Sequence, residues 1–249
     1  MKYFKLDTKS YFEEKNLCLA IGNFDGFHKG HIAILNSLKK IAKEKKQSTA
    51  IMSFNPHPRE FFEIKNESFN IYSKLDKIKF LENFNIDIYI EFTFDKNLSE
   101  LSANEFIENI LLNKLDINNV IVGKDFKFGK DRSGNFKILE NYSKENNFDV
   151  HLVDSIMLND RSDKYSSSII RENIKKGEME KVTFALGRPW HMTGKVIEGD
   201  VRDLDKKIEH DSVRLLFTSP PYLKVIKYGL YNWIRLWFLT KSCCPFPHH

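Results

Sequence analysis

Short apolar runs alternate along the chain with longer stretches in which apolar residues return every third or fourth position. Leu17–Ile21 is unbroken in its apolar character, the mark of a strand buried on both faces. Residues 32–45 place Ile34, Leu35, Leu38, Ile41 and Ala42 on one side of a helix. Residues 49–54 read as a second strand and residues 73–84 as a helix with Leu75, Ile78 and Leu81 at intervals of three; residues 86–92 are again a strand. Residues 102–112 predict a helix opened by a capping box, with Ser102 as N-cap and Glu105 three positions on. Strands follow at 119–122 and 148–153, then helices at 167–176 and 178–186 parted by Gly177. This alternation predicts an α/β fold with a parallel sheet and helices on both faces. Ligands in such sheets sit beyond the carboxyl ends of the strands. The segments 22–31, 55–58 and 123–129 all fall at that edge.

Composition narrows the picture only a little. The 249 residues, 41% hydrophobic and 29% charged, are ordinary globular material. The net charge of +5 comes from 39 Lys and Arg against 34 Asp and Glu, an excess too mild and dispersed to point to nucleic acid and equally suited to a small anionic substrate. The cysteines, Cys18, Cys243 and Cys244, have no Cys-x-x-Cys spacing for zinc. Their odd number suits a reducing cytoplasm, and no segment has the apolar length of a signal peptide or a membrane span.

The chemistry is concentrated in Gly22-Asn23-Phe24-Asp25-Gly26-Phe27-His28-Lys29-Gly30-His31. Strand, glycine-studded turn and helix start together hold phosphate groups. Gly22, Gly26 and Gly30 allow close backbone approach, and His28 and His31 add N–H donors for charge developing at the α-phosphate of a nucleoside triphosphate. A second element, Ser166-Ser167-Ser168-Ile169-Ile170-Arg171, opens a helix. Ser166 or Ser167 suits the N-cap, and Arg171, one turn in, offers a bidentate fork to phosphate. Phe126 and Phe128, within Gly123 to Gly129, have two readings: stacking on a flat ring, or plugging the core. The segment Phe54-Asn55-Pro56-His57-Pro58 is stiffened by its prolines and either walls a slot for a ring or ends the strand.

These four motifs, in this order, resemble the bacterial FAD synthetases, which are usually bifunctional riboflavin kinase/FMN adenylyltransferases. The likeness covers about residues 1–199. It implies a Rossmann-like nucleotidyltransferase domain at residues 1–186 that uses Mg2+ and converts FMN and ATP to FAD and pyrophosphate. By that resemblance His28, His31 and Arg171 are catalytic. Gly22, Asn23, Phe24, Asp25, Gly26, Gly30, Ser167 and Ser168 meet the nucleotide, and Asn55, His57, Asp125 and Phe128 meet the flavin. Asn23, Asp25 and Asp125 are candidates for orienting metal or ribose, with no metal ligand set assigned. Ser168 stands where the family commonly has threonine, which keeps the hydroxyl.

Residues 187–199 resemble the opening of a riboflavin kinase domain, but the glycine-rich stretch and Pro-Thr-Ala-Asn motif expected next do not follow, so kinase activity is expected to be absent. Residues 200–249 carry Thr218-Ser219-Pro220-Pro221-Tyr222 and are similar to the start of an amino-type DNA methyltransferase, without the turn that would bind its cofactor. They are expected to be a truncated, non-native segment. The alternatives are transfer to another phosphorylated acceptor, a DNA-modifying protein acting through the tail, and an inactive fusion.

Overall fold

The computed structural model describes residues 1–62, 70–154, 165–191, 193, and the backbone of 195–199 and 234–238. In chain order its strands are β1 (Lys2–Leu6), β2 (Leu17–Ile21), β3 (Ser48–Asn55), β4 (Ile88–Thr93), β5 (Ile117–Gly123), β6 (Asp149–Val153), β7 (Lys195–Gly199) and β8 (Ile234–Phe238). The α-helices are α1 (Lys29–Lys45), α2 (Pro58–Phe62), α3 (Lys74–Asn83), α4 (Lys96–Glu100), α5 (Ala103–Glu105), α6 (Phe136–Glu145), α7 (Ser167–Lys175) and α8 (Met179–Leu186).

β1 to β6 form one parallel sheet in the order β1-β4-β3-β2-β5-β6. The central strand β2 is buried along its whole length, and its side chains alternate between two cores. Leu17, Leu19 and Ile21 point to one layer, with α4, α5, its continuation and α6; Cys18 and Ala20 point to the other, with α1, α3, α7 and α8. The chain moves from β2 outward through β3 and β4, then crosses back to β5 and out to β6. The direction of winding therefore reverses between β2 and β5, which leaves a crevice at their carboxyl ends.

The capping box at Ser102 and Glu105 is present, but the helix it opens widens at once: Phe106–Lys114 winds as a π-helix. The helix read from residue 32 begins at Lys29, because His28 supplies the cap. Unread in the sequence were the edge strand β1, the short helices α2 and α4, and α6, whose Phe136, Ile138, Leu139 and Tyr142 do carry helical spacing. The Thr218–Tyr222 motif lies outside the described residues; β7 and β8 pair antiparallel. Among the described residues no helix is long and apolar enough to cross a membrane.

Candidate active site

A cavity of about 720 Å³ opens where the winding reverses, lined by the connections that leave β2, β3, β4 and β5 and by the start of α7. β2 delivers the first wall. The Gly22 N–H donates to the Met52 carbonyl at 3.1 Å, extending the ladder to β3 by one residue. Phe24 (φ 47°), Gly26 (φ 82°) and Phe27 (φ 44°) then take left-handed backbone. Glycine suits this at Gly26, where a Cβ would also come within 3.0 Å of the Ile71 side chain. At the two phenylalanines the conformation costs about 1–2 kcal/mol each. Burial of both rings offsets it: each has 0% exposure, and Phe27 stacks on Phe80 with 4.2 Å between ring centres.

Asp25 locks the turn to its surroundings. Its buried carboxylate accepts from the N–H groups of Ile71 (2.8 Å) and Tyr72 (3.2 Å) and from Arg171 Nη2 (2.6 Å). Its carbonyl accepts from Ser167 Oγ at 2.8 Å. Read from the sequence as a candidate for metal or ribose, this carboxylate is engaged by protein donors and holds Arg171 in place. Ser166 is the N-cap of α7, accepting from the Ile169 N–H, which leaves the Ser167 and Ser168 hydroxyls at the cavity.

His28 caps α1 through Nδ1, which accepts from the His31 N–H at 3.3 Å, so that Nε2 carries the ring proton. The two imidazoles stack at 3.7 Å and 20°. Burial, then the charges of Arg171 and Arg188, push His28 down to about 4. Burial, then His28, Lys77 and the same arginines, holds His31 well below the usual histidine range. His57 on the β3 connection is pushed down to about 3 by burial and by Arg171, Lys77 and Arg59. At neutral pH all three are uncharged, so His31 serves the cavity as a hydrogen-bonding group and the positive charge on its walls comes from Arg59, Lys127, Arg132 and Arg171. His31 Nδ1 and Asn23 Oδ1 are buried with no hydrogen-bond partner among the described residues, which leaves both atoms for a ligand.

The opposite wall is aromatic. Phe54, Phe62, Phe94, Phe106, Phe126 and Phe128 line it. Phe126 and Phe128 stack at 5.4 Å, and Phe128 also packs on Phe106, so Phe128 belongs to core and cavity at once. Gly129 (φ 70°) makes this possible, since a Cβ there would lie 2.7 Å from the Ala103 nitrogen.

Of the residues picked for nucleotide and catalysis, Gly22, Asn23, His31, Ser167, Ser168 and Arg171 line the cavity, while Phe24, Asp25, Gly26, His28 and Gly30 form the scaffold behind it. Of those picked for the flavin, His57, Asp125 and Phe128 line it; Asn55 is exposed, its carbonyl accepting the Phe94 N–H at 3.0 Å. Sequence reasoning missed Arg59, whose Nη1 reaches Ser168 Oγ at 3.3 Å, although it directly follows Pro58. It also missed Phe62, Phe94 and Phe106, which sit in three different elements or connections, whereas Phe54 opens the proline-stiffened segment read as a possible wall for a ring.

The FAD synthetase family profile matches residues 11–169. The chain is 38% identical over 185 residues to the bifunctional riboflavin kinase/FMN adenylyltransferase of Buchnera aphidicola subsp. Schizaphis graminum (strain Sg), covering 74% of this chain and 59% of that protein. It is 37% identical over 182 residues to the protein of the same name from Haemophilus influenzae (strain ATCC 51907 / DSM 11121 / KW20 / Rd), covering 73% and 58%. The chain thus spans less than two thirds of the length of these curated relatives. A crystal structure described as a macrolide-efflux protein from Streptococcus pneumoniae shares the fold, with a TM-score of 0.72 at 23% identity over 82% of this chain and 66% of that one. With the profile spanning most of the sheet and the turn that opens the cavity, the chain belongs to the FAD synthetase family.

Proposed function

We propose that the chain transfers AMP from ATP to FMN, giving FAD and pyrophosphate. One observation carries the reading: a single cavity joins a wall of helix N-termini, serines, His31 and Arg171 to a wall of phenylalanines. The first wall suits a polyphosphate and the second a flat apolar ring. The names of the relatives support the same acceptor.

An FMN phosphate oxygen attacks the α-phosphorus, a new P–O bond forms, and the bond to the β-phosphate oxygen breaks as pyrophosphate leaves. Such transfer needs alignment and charge stabilisation rather than a protein nucleophile. The start of α7 and the Ser168 hydroxyl hold phosphate oxygens, while the Ser167 hydroxyl, donating to the Asp25 carbonyl, fixes the turn beside them; His31 meets the triphosphate as a neutral hydrogen-bonding ring; Arg171, aimed by Asp25, offsets charge on the departing pyrophosphate. Among the described residues no three His, Cys, Asp or Glu side chains converge into a metal cage. That donor set fits a Mg2+ carried mainly by substrate phosphates and water, which asks for only one or two carboxylates, and Asp125 and Asp131 on the cavity wall would supply them. Bound there, Mg2+ supplies neutralisation of phosphate charge. Cys18, a buried free thiol, fits a reducing cytoplasm.

Incubation with ATP, Mg2+ and either FMN or riboflavin, followed by chromatography of the flavins, tests the reading. FAD is expected from FMN, and neither FMN nor FAD from riboflavin. His31→Ala should lower the rate by about 10²–10³-fold. No FAD from FMN overturns the function, and an unaltered rate in His31→Ala overturns the role of that ring.

A further inference from the structure

The turn that carries Asn23 to His28 is held from behind by two cations that neither line the cavity nor touch Asp25. Lys77 Nζ donates to the Asn23 carbonyl at 2.9 Å. Arg188 donates from Nη2 to the Gly26 carbonyl (2.9 Å), from Nη1 to the Phe27 (3.0 Å) and Leu186 (2.9 Å) carbonyls, and from Nε to Tyr72 Oη (3.2 Å). Its guanidinium lies 4.4 Å from the centre of the Phe80 ring, the same ring that stacks on Phe27.

The chain reaches this place by design of the helix end. α8 stops at Gly187, whose left-handed backbone (φ 72°) turns the chain back toward the nucleotide turn. Beyond Arg188, Trp190 Nε1 donates to the Ile71 carbonyl at 3.2 Å, and the Thr193 hydroxyl donates to the Asp76 carboxylate. Residues 187–191 and Thr193 therefore form a strap across the two loops that Asp25 joins. Arg188 suits the position because its planar fork reaches several acceptors at once, which a lysine cannot do.

We propose that Arg188 is a positioning residue for the nucleotide, acting through the backbone of Gly26 and Phe27. This rests on the adenylyl-transfer reading above and deepens it. Carbonyl and N–H of a trans peptide point opposite ways. Fixing the carbonyls of residues 26 and 27 toward the guanidinium therefore turns the N–H groups of Phe27 and His28 away from it. It also fixes the residue that caps α1 and stacks on His31. The strap lies beyond the stretch matched by the family profile, so the phosphate cradle is completed by residues outside it.

Steady-state kinetics on the full chain test this, with ATP varied at saturating FMN and FMN varied at saturating ATP. Arg188→Ala is expected to raise KM for ATP about tenfold or more, the scale of a charged hydrogen bond removed, and to leave KM for FMN within about twofold. Methylguanidinium added to Arg188→Ala is expected to bring KM for ATP back down, and Arg188→Lys to fall between wild type and Arg188→Ala. A purely structural role predicts a lower maximal rate from fewer folded molecules with both KM values unchanged, and that result overturns the proposal, as does failure of methylguanidinium to act on folded Arg188→Ala. If Arg188→Ala does not fold, Arg188→Lys decides: a selective rise in KM for ATP supports the proposal and unchanged KM values overturn it. FAD formed by wild type with unchanged KM for ATP in the variants defeats only this inference; no FAD from wild type defeats the underlying function as well.

Discussion

The phosphate wall and the aromatic wall of the cavity are built on opposite plans. On the phosphate side the shape is set by backbone: two helix starts, left-handed residues at 24, 26 and 27, and a buried carboxylate whose acceptors are all taken. On the aromatic side, apart from the turn at Gly129, the shape is set by side chains, rings in tilted, T-shaped and stacked contact that range from Phe106 at 3% exposure to Phe62 at 67%. A backbone-built wall has one geometry and fails as a unit; a ring-built wall is divisible, each ring contributing its own area. Catalytic precision belongs on the first and adaptable substrate contact on the second.

The sharpest way to break the contrast is at Asp25–Arg171, where both side chains are at or below 10% exposure. Arg171→Met should cost about 3–5 kcal/mol, since it strands a buried carboxylate. Thermal melting should register this as a fall of about 10 °C. The double variant Asp25→Asn with Arg171→Met should melt higher than Arg171→Met alone while remaining inactive; an additive further loss would show that the pair does not act as one. On the aromatic side Phe126→Ala should raise KM for FMN by about tenfold, the worth of one stacked ring, and leave KM for ATP and the melting temperature close to wild type. Equal effects on both substrates would erase the distinction between the walls.

A smaller effect is written in the pH dependence of stability. His28 is pushed down to about 4 in the folded chain. Above pH ~6.5 the ring is neutral in folded and unfolded states alike and adds no slope. Between pH ~6.5 and about 4 the unfolded chain takes up a proton that the folded one refuses, so stability falls as pH falls, by up to about 1.4 kcal/mol per pH unit. Melting temperatures measured from pH 7 to 5 should decline, and more shallowly in His28→Asn, where asparagine keeps a capping oxygen.

How much of this could be read in advance follows the same division. The glycine turn, the strand before it, the caps at Ser102 and Ser166 and the order of the parallel units are local patterns, and local patterns survive in one dimension. Phe94 and Phe106 come from segments remote from the glycine turn and from the Asn55–Pro58 loop, and nothing in their neighbours announces a shared cavity. The π-helix at Phe106–Lys114 has the apolar spacing of an ordinary helix, because a shift of hydrogen-bond register leaves no mark on composition. Arg188 was legible only as part of a boundary; that the chain doubles back there depends on where α8 ends relative to the turn at residue 26.

The bond from Arg171 to Asp25 joins positions 146 residues apart. During synthesis the glycine turn emerges early and waits, its acid uncompensated, until α7 leaves the ribosome. Closing so long a loop is slow and adds its reward only at the end. The cavity is therefore completed late, and a chain interrupted just before α7 holds all six strands of the parallel sheet without the arginine that engages Asp25.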